Sequence, residues 1–250
     1  MTQLIGRVIL KSNKKKYITL NRNQLLILDS LLTDGSIKQY IDTDNNTRYS
    51  EHSGYLNITT TNNIDRFIIS TRTNREDKDD SDILLPYDLY DSYEYKYIFH
   101  THPKTPTLGR FKDNILYEFP SVDDLFHFID HYNMGKTIGS IIIAPEGYYI
   151  IYPNNLEIKE IIYDIDIEDD IINKLNDGLY DIELKAIEKY GTKYTEDFFY
   201  SVIAYDKHYL NLYNKLINKY LDNQIKIIIV NRTKDIITNK WLVKKLTLPI

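Results

Sequence analysis

Residues 97–125 read YIFHTHPKTPTLGRFKDNILYEFPSVDDL, and the fold turns on what this stretch is. Tyr, Ile and Phe crowd residues 93–100, which predicts a strand there. Side chains two apart on a strand share a face, so His100 and His102 present both imidazoles on one side. Pro103 can donate no ladder hydrogen bond and ends the strand. At the far end of the stretch Ser121 stands three residues before Asp124. The apolar residues Leu125, Phe126, Phe128 and Ile129 follow, the pattern of a capped amphipathic helix over 122–133. Two readings are open. One is a metal site built between a strand end and a helix start. The other is an ordinary strand that carries two histidines, followed by a well-capped helix. Neutral imidazole suits zinc, and a carboxylate completes a three-ligand site with one open position. An acid in the first helical turn favours the helix dipole and still reaches an ion near that end.

Working outward, residues 5–10 (IGRVIL) and 15–20 (KKYITL) read as short strands. The leucines of Asn21–Leu32 fit either a short helix or a buried strand. Residues 54–60 and 64–70 flank a turn and predict a hairpin, and the charged segment 73–82 reads as a solvated loop and a candidate flap. Residues 140–144 and 147–152 are strands turning at Pro145-Glu146-Gly147. Beyond Pro153 the pattern becomes helical over 168–190 and 195–221, with Phe198, Val202, Tyr205, Tyr209, Leu212, Leu216 and Tyr220 three or four apart. A last buried strand is expected at 225–230. The chain thus divides into an α/β or α+β domain over 1–155 and a mainly helical extension over 156–250. The tyrosine-rich helices of that extension pack on the first domain or on a protein partner.

Composition narrows the chemistry. The 250 residues are enough to bury a sizeable core, and with 42% hydrophobic and 27% charged residues the chain is globular. A net charge of −5 argues against a general nucleic-acid partner. Cysteine is absent, so any metal is held by His, Asp or Glu. The N-terminus lacks the layout of a signal peptide, and the longest apolar runs are too short to span a membrane. A soluble intracellular protein with no membrane partner is expected.

HTHP followed by PSVDDL resembles the motif of the JAMM (MPN+, or JAB-domain) zinc metalloproteases: a distant Glu, then His-x-His-Pro, then Ser-x-x-Asp. Glu51-His52-Ser53-Gly54-Tyr55-Leu56 supplies the E-x-x-G-x-L element. Glu76, in the charged loop, and Glu94, on the histidine strand, fit less well. The stretch from Ile115 to Tyr149 also resembles JAB-domain proteins of large DNA viruses. The likeness covers about residues 45–150. It departs from the family in the sixteen residues 104–119 between HTHP and PS, where the family has only a handful.

The resemblance implies an MPN/JAB-like α/β fold, a curved mixed β-sheet flanked by helices. It implies one Zn²⁺ held by His100, His102 and Asp124, with water as the fourth ligand and Asp123 as a solvated neighbour. It makes Glu51 the general base and Ser121 an oxyanion donor. The expected activity is isopeptide cleavage of ubiquitin or ubiquitin-like conjugates, with segments 73–82 and 104–119 flanking the substrate tail. A non-catalytic MPN-like scaffold and a JAB-type hydrolase of another protein-tail amide are the alternatives. His127 and His131, four apart on the predicted helix, are expected at its surface or in packing. His52 should face away from the site and His208 should serve packing or the surface. Lys14–Lys16 read as a solvated turn, and Trp241 with Lys240, Lys244 and Lys245 as a small contact surface.

Overall fold

The computed structural model describes residues 17–61, 64–75, 95–106, 110 and 113–249. The expected strand 5–10 and the basic run Lys14–Lys16 lie outside them. Strand β1 (Tyr17–Asn21) leads directly into helix α1 (Arg22–Gly35). Here the ambiguity over residues 21–32 resolves as a helix, and the cap shows why. Asn21 accepts hydrogen bonds from the amides of Asn23 and Gln24, while the Gln24 side chain accepts from the Asn21 amide at 2.8 Å. Leu25, Leu28, Leu31 and Leu32 then form its buried stripe.

A small hairpin, β2 (Gln39–Ile41) and β3 (Thr47–Tyr49), precedes the expected larger one, β4 (Glu51–Thr61) and β5 (Ile64–Arg75). Residues 73–75, placed in a charged loop by the sequence, continue β5, because the ladder runs as far as the pair Glu51↔Arg75. The rest of that segment, 76–82, lies outside the described residues. Strand β6 (Tyr97–Thr101) is antiparallel to β4 and pairs His100 with Ser53. After the helix α2 (Val122–Met134), strand β7 (Gly139–Ile143) returns parallel to β6. Gly139 is required at that junction: a Cβ there would lie 2.7 Å from the Tyr97 ring. Strand β8 (Gly147–Pro153) turns back antiparallel, as expected from Pro145-Glu146-Gly147.

The C-terminal region carries helix α3 (Glu168–Tyr190) and helix α4 (His208–Tyr220). The predicted run 195–221 is broken. A helical turn at Glu196–Phe198 passes into a π-helical turn at Phe199–Ile203, and α4 starts afresh at His208. Asp206 accounts for the restart, since its carboxylate accepts the His208 amide at 2.9 Å and competes with helix continuation. Phe198, Val202 and Tyr205, read as an apolar stripe, consequently stand at the surface.

Strand β9 (Ile225–Asn231) then pairs with β8, and the sheet order is β5-β4-β6-β7-β8-β9. Residues 156–250 therefore extend the central sheet as well as covering it. Short strands β10 (Thr233–Lys234) and β11 (Trp241–Leu242) pair with each other, and β12 (Lys245–Pro249) pairs with β1. The architecture is mixed α/β, with β6 and β7 the parallel pair in an otherwise antiparallel sheet. Alternation divides the core in two. Ile141, Ile143, Tyr148 and Ile150 face α1, β1 and β12, whereas Ile142, Tyr149 and Ile151 face α2, α3 and α4. At the sheet's end Asn214 of α4 grips β9: its amide nitrogen donates to the Ile227 carbonyl and its oxygen accepts the Ile227 amide, at 2.9 and 2.8 Å.

Candidate metal centre

His100 lies on β6, and His102 lies just past its end. The His102 amide donates to the Ile143 carbonyl at 2.9 Å, which prolongs the parallel ladder beyond Thr101. That bond keeps the chain extended long enough for both imidazoles to stay on one face, as the His-x-His spacing requires. Helix α2 begins opposite. Its N-cap Ser121 accepts the Asp124 amide at 3.1 Å, and the Asp124 carboxylate accepts the Ser121 amide at 2.7 Å. The capping reading of Ser-x-x-Asp therefore holds. The same geometry points the carboxylate at the histidines.

The three side chains meet. The two Nε2 atoms are 2.9 Å apart, and Asp124 lies 3.1 Å from His100 Nε2 and 3.3 Å from His102 Nε2. One ligand atom from each residue fits within 4.8 Å of the others, in a setting where His100 and Asp124 are buried. Two imidazole nitrogens and a carboxylate turned on one point leave room among them for a proton or a cation. The His102 ring is oriented from behind, because its Nδ1–H donates to the Glu118 carbonyl at 3.3 Å. Such a bond fixes the tautomer that leaves Nε2 free for an ion. Burial alone would lower the His102 pKa, but the Asp124 carboxylate outweighs it, with help from Glu51 and Glu118, and raises it to about 10. Burial would likewise raise the Asp124 pKa. The two histidines reverse this and hold it well below the usual carboxylate range. The donor set fits a divalent ion such as zinc: two imidazoles, one carboxylate and an open side.

That open side faces a cavity of about 740 Å³. Glu51, at the start of β4, lies on its wall two residues before Ser53, the partner of His100 in the ladder. Its side chain therefore takes the histidine face of the sheet. His52 points the other way, as expected, and meets Asp34 of α1 at 3.0 Å. Ser121 also lines the cavity, and its hydroxyl hydrogen is not consumed by the cap, where the oxygen is the acceptor. Asp123 is exposed beside it. His127, expected at the helix surface or in packing, is half-buried on α2. It lines the cavity, its ring lies 4.4 Å from that of His131, and its Nε2 is buried with no hydrogen-bond partner among the described residues. Burial, reinforced by His131 and His100, lowers its pKa to about 3 and keeps it neutral. His131 is fully buried in packing, edge-on to Tyr55. His208 packs edge-on to Tyr209. Trp241 stacks on Tyr200 and lies under Lys234, so much of the contact surface foreseen there is used internally.

The insert 104–119 contains a feature the sequence reading missed. Leu116, Tyr117, Glu118 and Phe119 are buried, so its second half is a strap within the core, and Tyr117, Glu118 and Phe119 also line the cavity. Glu118 accepts from Arg110 and from the Thr105 amide, both at 2.7 Å. The hairpin of β2 and β3 is tied to the same insert, where Arg48 bridges Asp42 at 2.8 Å and Asp113 at 2.9 Å. The detectable signal was the run ILYEF, an apolar segment too rich in large side chains for a solvated loop.

No family model matches the chain, and no solved structure matches it. The chain is 37% identical over 216 residues to uncharacterized protein R413 of Acanthamoeba polyphaga mimivirus. That match covers 82% of this chain but 59% of the viral protein, so the chain spans less than two thirds of this relative's length. This relative is viral, which agrees with the viral part of the expectation; its name says nothing of a JAB domain. Among the described residues no helix is long and apolar enough to cross a membrane.

Proposed function

We propose that this chain is a JAMM-type zinc isopeptidase that acts on ubiquitin or ubiquitin-like conjugates. The observation that carries the reading is the convergence of His100, His102 and Asp124 on one point, with Glu51 on the wall of the same cavity. His100, His102 and Asp124 would hold the ion. When bound there, zinc supplies a Lewis acid and lowers the pKa of water to about 7. Glu51 takes a proton from the attacking water and returns it to the leaving amine. Ser121 donates its hydroxyl hydrogen to the developing oxyanion. Tyr40 and Arg48 of the β2–β3 hairpin line the cavity together with Thr105, Tyr117 and Phe119, and offer walls for an extended polypeptide tail. Asp44 and Asp123 give that cavity a negative rim, which favours a basic or lysine-bearing substrate.

The test pairs zinc content with cleavage of ubiquitin conjugates. The wild-type chain should bind one zinc and cleave. Glu51→Gln should bind one zinc and lose about 100-fold or more of the rate. A Glu51→Gln variant that cleaves normally would exclude Glu51 as the base. A wild-type chain without stoichiometric zinc would exclude the reading altogether.

A further inference from the structure

Behind His102 the strap is held from the C-terminal helices. The Glu118 carbonyl that receives His102 Nδ1–H belongs to a backbone segment with three amides in a row bound by buried carboxylates. The Leu116 and Tyr117 amides donate to Glu183 Oε2 at 2.9 and 3.4 Å, and the Glu118 amide donates to Glu146 Oε1 at 2.7 Å. Further along, the Tyr213 hydroxyl donates to the Pro120 carbonyl at 3.0 Å. Glu183 stands on α3, more than sixty residues from the strap, and is buried. Its second oxygen, Oε1, is buried with no hydrogen-bond partner among the described residues. A buried acid is costly, and an apolar side chain in its place would leave the Leu116 and Tyr117 amides without their acceptor. What Glu183 adds is a fixed acceptor for two strap amides, two and one residues upstream of the carbonyl that orients His102.

We propose that Glu183 is a positioning residue for the metal centre: by holding the Leu116 and Tyr117 amides it sets the Glu118 carbonyl, which fixes His102 with Nε2 directed at His100 and Asp124. The helical region thereby reaches the ion through a short chain of hydrogen bonds, Glu183 to strap to His102. Outer partners of this sort typically change metal affinity 10–100-fold when removed. This inference rests on the reading of His100, His102 and Asp124 as ligands.

The experiment uses the full chain with zinc alone. Zinc affinity is measured by competition with a chromophoric chelator, and His102 is followed by nitrogen-proton correlation in zinc-loaded protein labelled on histidine. Glu183→Leu removes the acceptor at similar volume, whereas Glu183→Gln keeps a neutral acceptor in place. The leucine variant should bind zinc about 10–100-fold more weakly, and its His102 Nδ1 proton should exchange faster with water. The glutamine variant should restore both readouts, which a loss of general packing would not predict. A folded Glu183→Leu protein with wild-type affinity and a protected Nδ1 proton overturns the inference. Should that variant fail to fold, Glu183→Asp, which withdraws the acceptor by one methylene, decides in its place: weaker zinc binding supports the inference and wild-type binding overturns it. A wild-type chain that takes up no zinc removes the ligand reading itself, whereas normal wild-type uptake with unaltered variants removes the role of Glu183 alone.

Discussion

Two buried polar clusters meet at the hydrogen bond between His102 and the Glu118 carbonyl and are built on opposite plans. In the first, His100, His102 and Asp124 turn their donor atoms toward a common point. In the second, Glu118, Glu146 and Glu183 turn oxygens to backbone amides, to Arg110 and to Tyr149, while Glu146 Oε2 and Glu183 Oε1 have no hydrogen-bond partner among the described residues, and the three do not form a metal-sized group there. The second cluster contains more carboxylates, yet the first is the one suited to an ion. Direction of lone pairs, and not the number of acids, separates a site that binds from a network that holds.

Breaking the first cluster should have the largest effect. Asp124→Ala removes a candidate ligand and half of the capping box, and takes the carboxylate away from both imidazoles. Zinc affinity should fall by at least about 100-fold, more than the loss of an outer partner would cause. The metal-free fold should lose about 3–5 kcal/mol in urea unfolding.

The second cluster should reveal itself through pH. Burial, opposed in part by the strap amides and reinforced by Glu118 and Glu146, pushes the Glu183 carboxyl up to about 8. A raised carboxyl pKa means that the fold favours the protonated acid. Its contribution is complete below the unfolded pKa of about 4.5 and is lost as pH rises through about 8. The wild-type chain should therefore lose about 3 kcal/mol between about pH 5.5 and 8, and Glu183→Gln should flatten that slope. An unchanged slope in the variant would show that the pH sensitivity arises elsewhere.

The finest comparison is at Ser121, which belongs to both worlds as a cap and as a candidate donor. Ser121→Ala should cost about 1 kcal/mol of stability through the lost cap. Under the proposed activity it should also slow cleavage by roughly 2 kcal/mol of barrier or more while zinc stays bound. A stability loss with an unaltered rate would leave it the capping role only.

Much of the first cluster was legible before any coordinates, because its logic is local. Two histidines at strand spacing share a face, a proline ends the strand, and Ser-x-x-Asp starts a helix. The second cluster was hidden for a physical reason. The group that orients His102 is a main-chain carbonyl, which no side-chain pattern announces, and Glu146 and Glu183 reach the strap from 28 and 67 residues away. Glu183 reads in sequence as one more acid on a helix. The fold shows the same division. The capped helix α1, the large hairpin and the strands β7 and β8 follow from short-range signals. The break before α4 depends on Asp206, whose second oxygen accepts from Lys189 and Tyr190 of α3, so the tertiary contact that fixes it is invisible to periodicity. The pairing of β9 with β8 is likewise long-range, and reading 156–250 as mainly helical understated the strand it gives to the sheet.

The grip of Asn214 on Ile227 carries a consequence for how copies of this molecule behave when crowded. A terminal strand normally offers free backbone donors and acceptors on which a neighbour can nucleate. Here a side-chain amide imitates the missing neighbour and occupies the rungs at Ile227. Polymerisation by strand stacking is thus obstructed at those rungs, next to the exposed charge of Lys226.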